Sequence, residues 1–158
     1  MNSSRTRRRI LELRFVAGAA LLFVATVVSS VRVGVTVQAA PPAAQASSDV
    51  YRDVYNGWKW WHVYCYRCHG VDAVGTTIAP NLTDPMRKLA RAEFLKIVRN
   101  GISDKGMQAW NQLLDDKQIG QVYLYVRARA DKVLPPGRPD ETGPNGGPWV
   151  PPAAWRRR

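Results

Sequence analysis

The strongest constraint on this chain is a five-residue run, Cys65-Tyr66-Arg67-Cys68-His69, which holds both of its cysteines. The run lies in a stretch of roughly 85 residues between two compositionally different ends, and a domain that small is marginal if side chains alone build its core. The fold has to be read around the cysteines. A disulfide here would close too small a loop to constrain the unfolded chain much. A redox-active dithiol follows a strand in a βαβ unit, whereas the residues before Cys65 read as a helix. A zinc site needs four ligands. Only His62 and His69 could join the cysteines, and His69 adjoins Cys68, so closing all four on one ion is strained.

The spacing suits a different partner. Cys-x-x-Cys-His is the attachment pattern for c-type haem. Two thiols separated by two residues on a helical turn can each add to a vinyl group on one porphyrin edge. The next residue then brings an imidazole nitrogen beneath the ring as the proximal iron ligand. A large covalent cofactor would also supply the apolar surface that so short a domain lacks.

The N-terminus has the three parts of a secretory signal. Arg5, Arg7, Arg8 and Arg9 make a positive start, residues 15–31 an apolar run, and small residues follow. Val37-Gln38-Ala39 and Ala44-Gln45-Ala46 are both possible cleavage sites. Residues 1–46 therefore read as a signal peptide, with an uncleaved membrane anchor as the alternative. Export to the periplasm fits a chain whose two thiols are consumed by a modification.

The net charge of +11 is concentrated at the ends, in the leader arginines and in Arg156, Arg157 and Arg158. The remaining basic residues are not gathered on one helix between aromatics, which argues against a nucleic-acid partner.

Between the ends, residues 47–133 form the expected domain. The stretch 49–62 reads as a helix, with Val50, Val54, Trp58 and Trp61 recurring at three- and four-residue steps. Residues 70–85 read as a loop. A second helix is expected over 91–99, stopped by Asn100-Gly101. After a second loop over 103–113, a third helix is expected over 115–130, capped by Asp115 or Asp116 and carrying Ile119, Val122, Tyr123 and Val126 as its apolar stripe. The prediction is a small all-α domain with long loops wrapped around something. Residues 134–158 are rich in Pro and Gly, lack an apolar period, and are expected to be an extended, mobile basic tail.

An electron-transfer haem usually has both axial positions filled, with methionine the expected distal ligand. Met107, in the second loop, is the expected ligand. Met86 lies so soon after His69 that its loop would have to be taut, and it is expected to pack in the core. His62 reads as an exposed helical residue.

Across residues 51–129 the chain resembles class I c-type cytochromes of bacterial periplasms. Gly57 and Trp61 match the family's glycine and aromatic on the first helix. Tyr125 and Val126 match their partners on the last. Cys65, Cys68, His69 and Gly70 match the haem motif, Ala79-Pro80-Asn81-Leu82 the proline loop, and Gly106 to Trp110 the methionine loop, with Gln108 where proline is common. The resemblance implies a cytochrome c fold with three main helices around one covalent haem. It implies that the Pro80 carbonyl accepts the proximal histidine's proton, that Met107 binds iron and that Trp110 packs on the haem. The run from Gly57 to Cys65 and the Pro136 to Pro139 segment are similar to cytochromes that take electrons from quinoprotein alcohol dehydrogenases. The function implied is a monohaem carrier working between redox proteins, such as a dehydrogenase and an oxidase. The alternatives are a five-coordinate haem sensor or peroxidase-like protein, which requires Met107 not to bind, and a resident subunit of a larger redox complex.

Overall fold

The computed structural model describes residues 42–156, all within one compact unit. The signal-peptide reading of the leader falls, for residues 1–41, outside the described residues. Among the described residues four α-helices follow in order: α1 (Pro42–Tyr64), α2 (Tyr66–His69), α3 (Arg91–Asn100) and α4 (Asp116–Ala130). Among the described residues there is no strand, only an isolated bridge between Ile102 and Met107. No described helix is long and apolar enough to cross a membrane.

Helix α1 begins seven residues before the expected start at Asp49. Residues 41–48 read as a Pro/Ala/Ser linker, yet proline is at home in a helix's first turn and alanine is the best helix former. Helix α3 runs one residue past its expected end and is stopped by Gly101, whose φ of 68° favours glycine. Helix α4 starts with a full capping box: the Asp115 carboxylate accepts from Gln118 N–H, and the Gln118 side chain accepts from Asp115 N–H.

The core is the crossing of α1 and α4. Val50, Val54 and Trp61 from α1 are buried against Ile119, Val122, Tyr125 and Val126 from α4. Gly57 makes the close approach possible. A Cβ there would collide with the backbone carbonyl of Gln121 and lie 3.0 Å from Tyr125 Cβ. The Gln121 side chain is buried in this crossing with both ends occupied. Its Oε1 accepts from Trp60 Nε1 at 3.1 Å and its Nε2 donates to Asp53 at 2.9 Å, as a buried amide requires.

Residues 134–156 depart from the expectation of an extended, mobile tail. They fold back over the domain as a strap. Leu134, Pro139, Trp149 and Trp155 are buried, and the two tryptophans meet edge to face at 6.3 Å. Trp149 N–H donates to the Pro139 carbonyl at 2.7 Å, and its indole N–H to Val133 at 2.8 Å. The strap reaches the loop after the cysteine motif, where Gly137 N–H donates to Asp72 at 3.1 Å. Composition misled here for a physical reason. A few large aromatics bury enough surface to anchor a chain, and prolines reduce the entropy lost on ordering it.

Candidate functional site

The cysteine motif sits where α1 ends and α2 begins. Cys65 N–H donates to Trp61 O at 2.9 Å, and the Cys68 and His69 amides both donate to Cys65 O, at 3.2 and 3.0 Å. This single helical turn presents both sulfurs and the imidazole together. The two thiols are not joined to each other. Cys65 is half-buried and Cys68 exposed. Burial first, then the neighbouring Cys68, pushes the Cys65 thiol up to about 12, so before attachment it stays protonated at neutral pH.

The loop 70–82 is tied back onto this turn. Gly75 N–H donates to His69 O at 2.8 Å, and Thr76 Oγ1 donates to Cys68 O at 2.5 Å. Trp61 Nε1 donates to Gly70 O at 3.0 Å. The loop thereby places the Pro80 carbonyl 3.1 Å from His69 Nδ1. A carbonyl oxygen can only accept, so Nδ1 carries the proton and Nε2 keeps its lone pair, the form in which imidazole binds a metal.

The methionine loop is fixed from the other side. Met107 and Ile102 exchange backbone bonds at 2.8 and 3.1 Å, and Trp110 N–H donates to Val98 O at 3.1 Å. A Cβ on Gly101 would lie about 2.5 Å from Met107 O and Gln108 C. The glycine that stops α3 therefore also seats this loop. The Trp110 ring lies 5.5 Å from that of Tyr64. Met86, in contrast, is buried at 1% exposure, and its carbonyl accepts from Arg127 at 3.3 Å. His62 is half-buried rather than exposed, with Nδ1 2.8 Å from Trp58 O.

The donor set suits haem and not zinc. Among the described residues no three His, Cys, Asp or Glu side chains converge as a metal cluster, so the four-ligand zinc site does not assemble. Haem c fits. Two unpaired thiols share a turn with an imidazole whose Nδ1 is engaged, while Tyr64, Cys65, Tyr66, Leu82, Met107 and Trp110 are half-buried at the edge of the core.

Comparison with known proteins agrees. The family described as Cytochrome C oxidase, cbb3-type, subunit III matches residues 52–126. The solved structure of c-type cytochrome XoxG from Methylobacterium extorquens AM1 superposes with a TM-score of 0.52 at 28% identity, covering 66% of this chain and 64% of that one. This chain is a c-type cytochrome. Cytochrome c-555 of Methylococcus capsulatus (strain Bath) is 29% identical to it over 103 residues, 62% of this chain and 78% of that protein. The quinohemoprotein alcohol dehydrogenase ADH-IIG of Pseudomonas putida is 30% identical over 92 residues, 56% of this chain but only 12% of the enzyme. The cytochrome therefore spans less than two thirds of the XoxG chain and a small part of the dehydrogenase. As a c-type cytochrome it holds haem c, with its iron, covalently.

Sequence reasoning overlooked two residues that build the site. Thr76 pins the loop to Cys68 O, and Asp72 receives both the strap's Gly137 N–H and, at 3.6 Å, the Arg129 guanidinium. Neither stands in a pattern that could have marked it, because each acts through a partner brought near only by folding.

Proposed function

We propose that this cytochrome is a periplasmic carrier that accepts single electrons from a dehydrogenase of the quinoprotein alcohol dehydrogenase class and delivers them to a terminal oxidase or comparable acceptor. The observation that carries the reading is the His69 Nδ1 contact with Pro80 O on the turn that bears both cysteines. Bound haem would supply an iron that gains and loses one electron. In this assignment Cys65 and Cys68 hold the porphyrin, His69 Nε2 and Met107 Sδ hold the iron, and Trp110 packs on the macrocycle. The Pro80 carbonyl fixes the His69 ring and its tautomer. Met107 is favoured over Met86 because the latter is enclosed in the core.

A stretch of a quinohemoprotein alcohol dehydrogenase resembles this chain, which supports a dehydrogenase of that class as donor. The basic start and apolar run of the leader support export. Cleavage after Ala39 would leave α1 whole, whereas cleavage after Ala46 would remove its first turn. The family match to an oxidase subunit supports a second reading, a cytochrome resident in a larger complex.

Two measurements test these readings. Met107→Ala should abolish the weak long-wavelength methionine–iron band of the ferric protein and lower its potential, while Met86→Leu leaves both in place. The opposite pattern would move the ligand to Met86, and absence of the band from the unsubstituted ferric protein would favour the five-coordinate reading. Purification of the exported protein from its host separates a free carrier from a subunit: a carrier elutes alone and is reduced by the dehydrogenase in stopped flow, whereas a subunit stays with its complex.

A further inference from the structure

Helix α1 carries more aromatic surface than its buried stripe uses. Tyr51, Tyr55, Trp58, His62 and, across the turn into α2, Tyr66 follow one another at steps of three and four residues, which places them on one helical face. Their rings are in succession. Tyr51 and Tyr55 stack at 6.0 Å between centroids, Tyr55 and Trp58 at 5.8 Å, Trp58 and His62 meet at 4.4 Å, and His62 and Tyr66 stack at 5.8 Å. All five side chains are only half-buried, with Tyr51, Trp58 and Tyr66 resting on the edge of the core, so the row keeps an open side that packing does not use.

The row is braced along its length. The Arg138 guanidinium of the strap lies 5.6 Å above the Trp58 ring and donates to Tyr55 Oη at 3.2 Å. The Lys59 ammonium lies 5.3 Å from the Tyr55 ring. The backbone carbonyl of Trp58 holds His62 through Nδ1. One end is Tyr51, in the first half of α1, and the other is Tyr66, inside the cysteine motif itself.

We propose that this row is an electron conduit joining a redox partner seated at Tyr51 to the haem motif. It rests on the assignment of Cys65, Cys68 and His69 as the haem site. Written for reduction, one electron leaves the reduced partner and one arrives at the iron. Each ring finishes as it began, and no proton moves; for oxidation the same electron runs the other way. Contiguous ring contacts give an electron a connected path where solvent gaps would not. Burial, followed by the nearby Asp140 carboxylate, holds the Tyr51 hydroxyl above its ordinary range, which keeps its proton in place.

The test uses the haem-loaded protein with a ruthenium photosensitiser on a single introduced histidine. In one series the label is placed at exposed Ser48 (S48H), one turn before Tyr51. In the control series it is placed at exposed Lys117 (K117H), at the start of α4 and off the row. Flash excitation injects an electron, and haem absorbance times its arrival. Trp58→Leu and His62→Leu should slow arrival from position 48 several-fold and leave arrival from position 117 unchanged. Trp58→Phe, which keeps a ring in the row, should restore the rate. The reduction potential and visible spectrum should be the same in all variants. Equal rates for the Leu and Phe variants at position 58 would overturn the conduit, and so would equal slowing from both labels. A haem that acid-acetone extracts from the unsubstituted protein would instead remove the site on which the conduit rests.

Discussion

The two faces of α1 are built on different rules. The inner stripe of Val50, Val54, Gly57 and Trp61 is buried, and at Gly57 it admits no side chain at all because the α4 backbone occupies the space. The outer row of Tyr51, Tyr55, Trp58 and His62 is half-buried and touches its neighbours ring to ring. Close-packed backbone cannot yield, so the inner face tolerates almost no added volume. Rings at a half-open surface can lose a neighbour to water at modest cost. The difference separates what holds the fold together from what the fold is free to use, and the haem motif lies where the two faces converge.

The inner face should fail hardest. Gly57→Val places new carbon atoms against the Gln121 carbonyl and Tyr125 Cβ, and one helix must move off the other. The expected loss is about 3 kcal/mol, the upper end of overpacking costs. In a domain of this size that lowers the melting midpoint by roughly 4–8 °C per kcal/mol. Thermal melting followed at the helical band measures it. An unchanged midpoint would show that the α1–α4 crossing is looser than its geometry, and the comparison would break there.

The strap braces the outer face through Arg138, so its removal sharpens the contrast. Ending the chain after Val133 exposes the sites that Trp149 and Trp155 cover and leaves Asp72 without the Gly137 N–H. Burial of two indoles is opposed by the entropy of ordering the strap, so the net loss is set at about 2 kcal/mol. The urea midpoint of the truncated protein gives the value directly. A midpoint equal to that of the full chain would return residues 134–158 to the mobile tail that their composition suggests.

Much of this arrangement was legible in the residues, for reasons that can be named. Helices α3 and α4 announce themselves because their apolar periods end in a glycine and begin in a capping aspartate, both local devices. The cysteine turn was legible because its chemistry fixes its own spacing. The start of α1 was not, since Pro42 reads equally as a linker residue and as a helix's first residue. The strap was not, because Trp149 and Trp155 reveal their burial only when the surface they cover has been assembled. Gln121 and Asp72 lie beyond sequence reasoning altogether. Each is defined by hydrogen bonds to groups more than sixty positions away in the chain, and no local pattern encodes such a partner.

The smallest effect on stability is expected on the outer face, at Trp58→Leu. The substitution removes most of an indole, a far larger change in atoms than Gly57→Val. The ring is only half-buried, however, and water can replace much of what it loses. What disappears is its stacking on Tyr55 and His62 and the Arg138 guanidinium above it. Half-exposed aromatic and cation–ring contacts of this kind contribute about 1 kcal/mol together, and leucine keeps some apolar cover and helical propensity at the position. The two variants, melted side by side, should therefore rank in the reverse of the number of atoms changed. If Trp58→Leu proves as costly as Gly57→Val, the outer row is part of the core, and its rings are explained by stability alone.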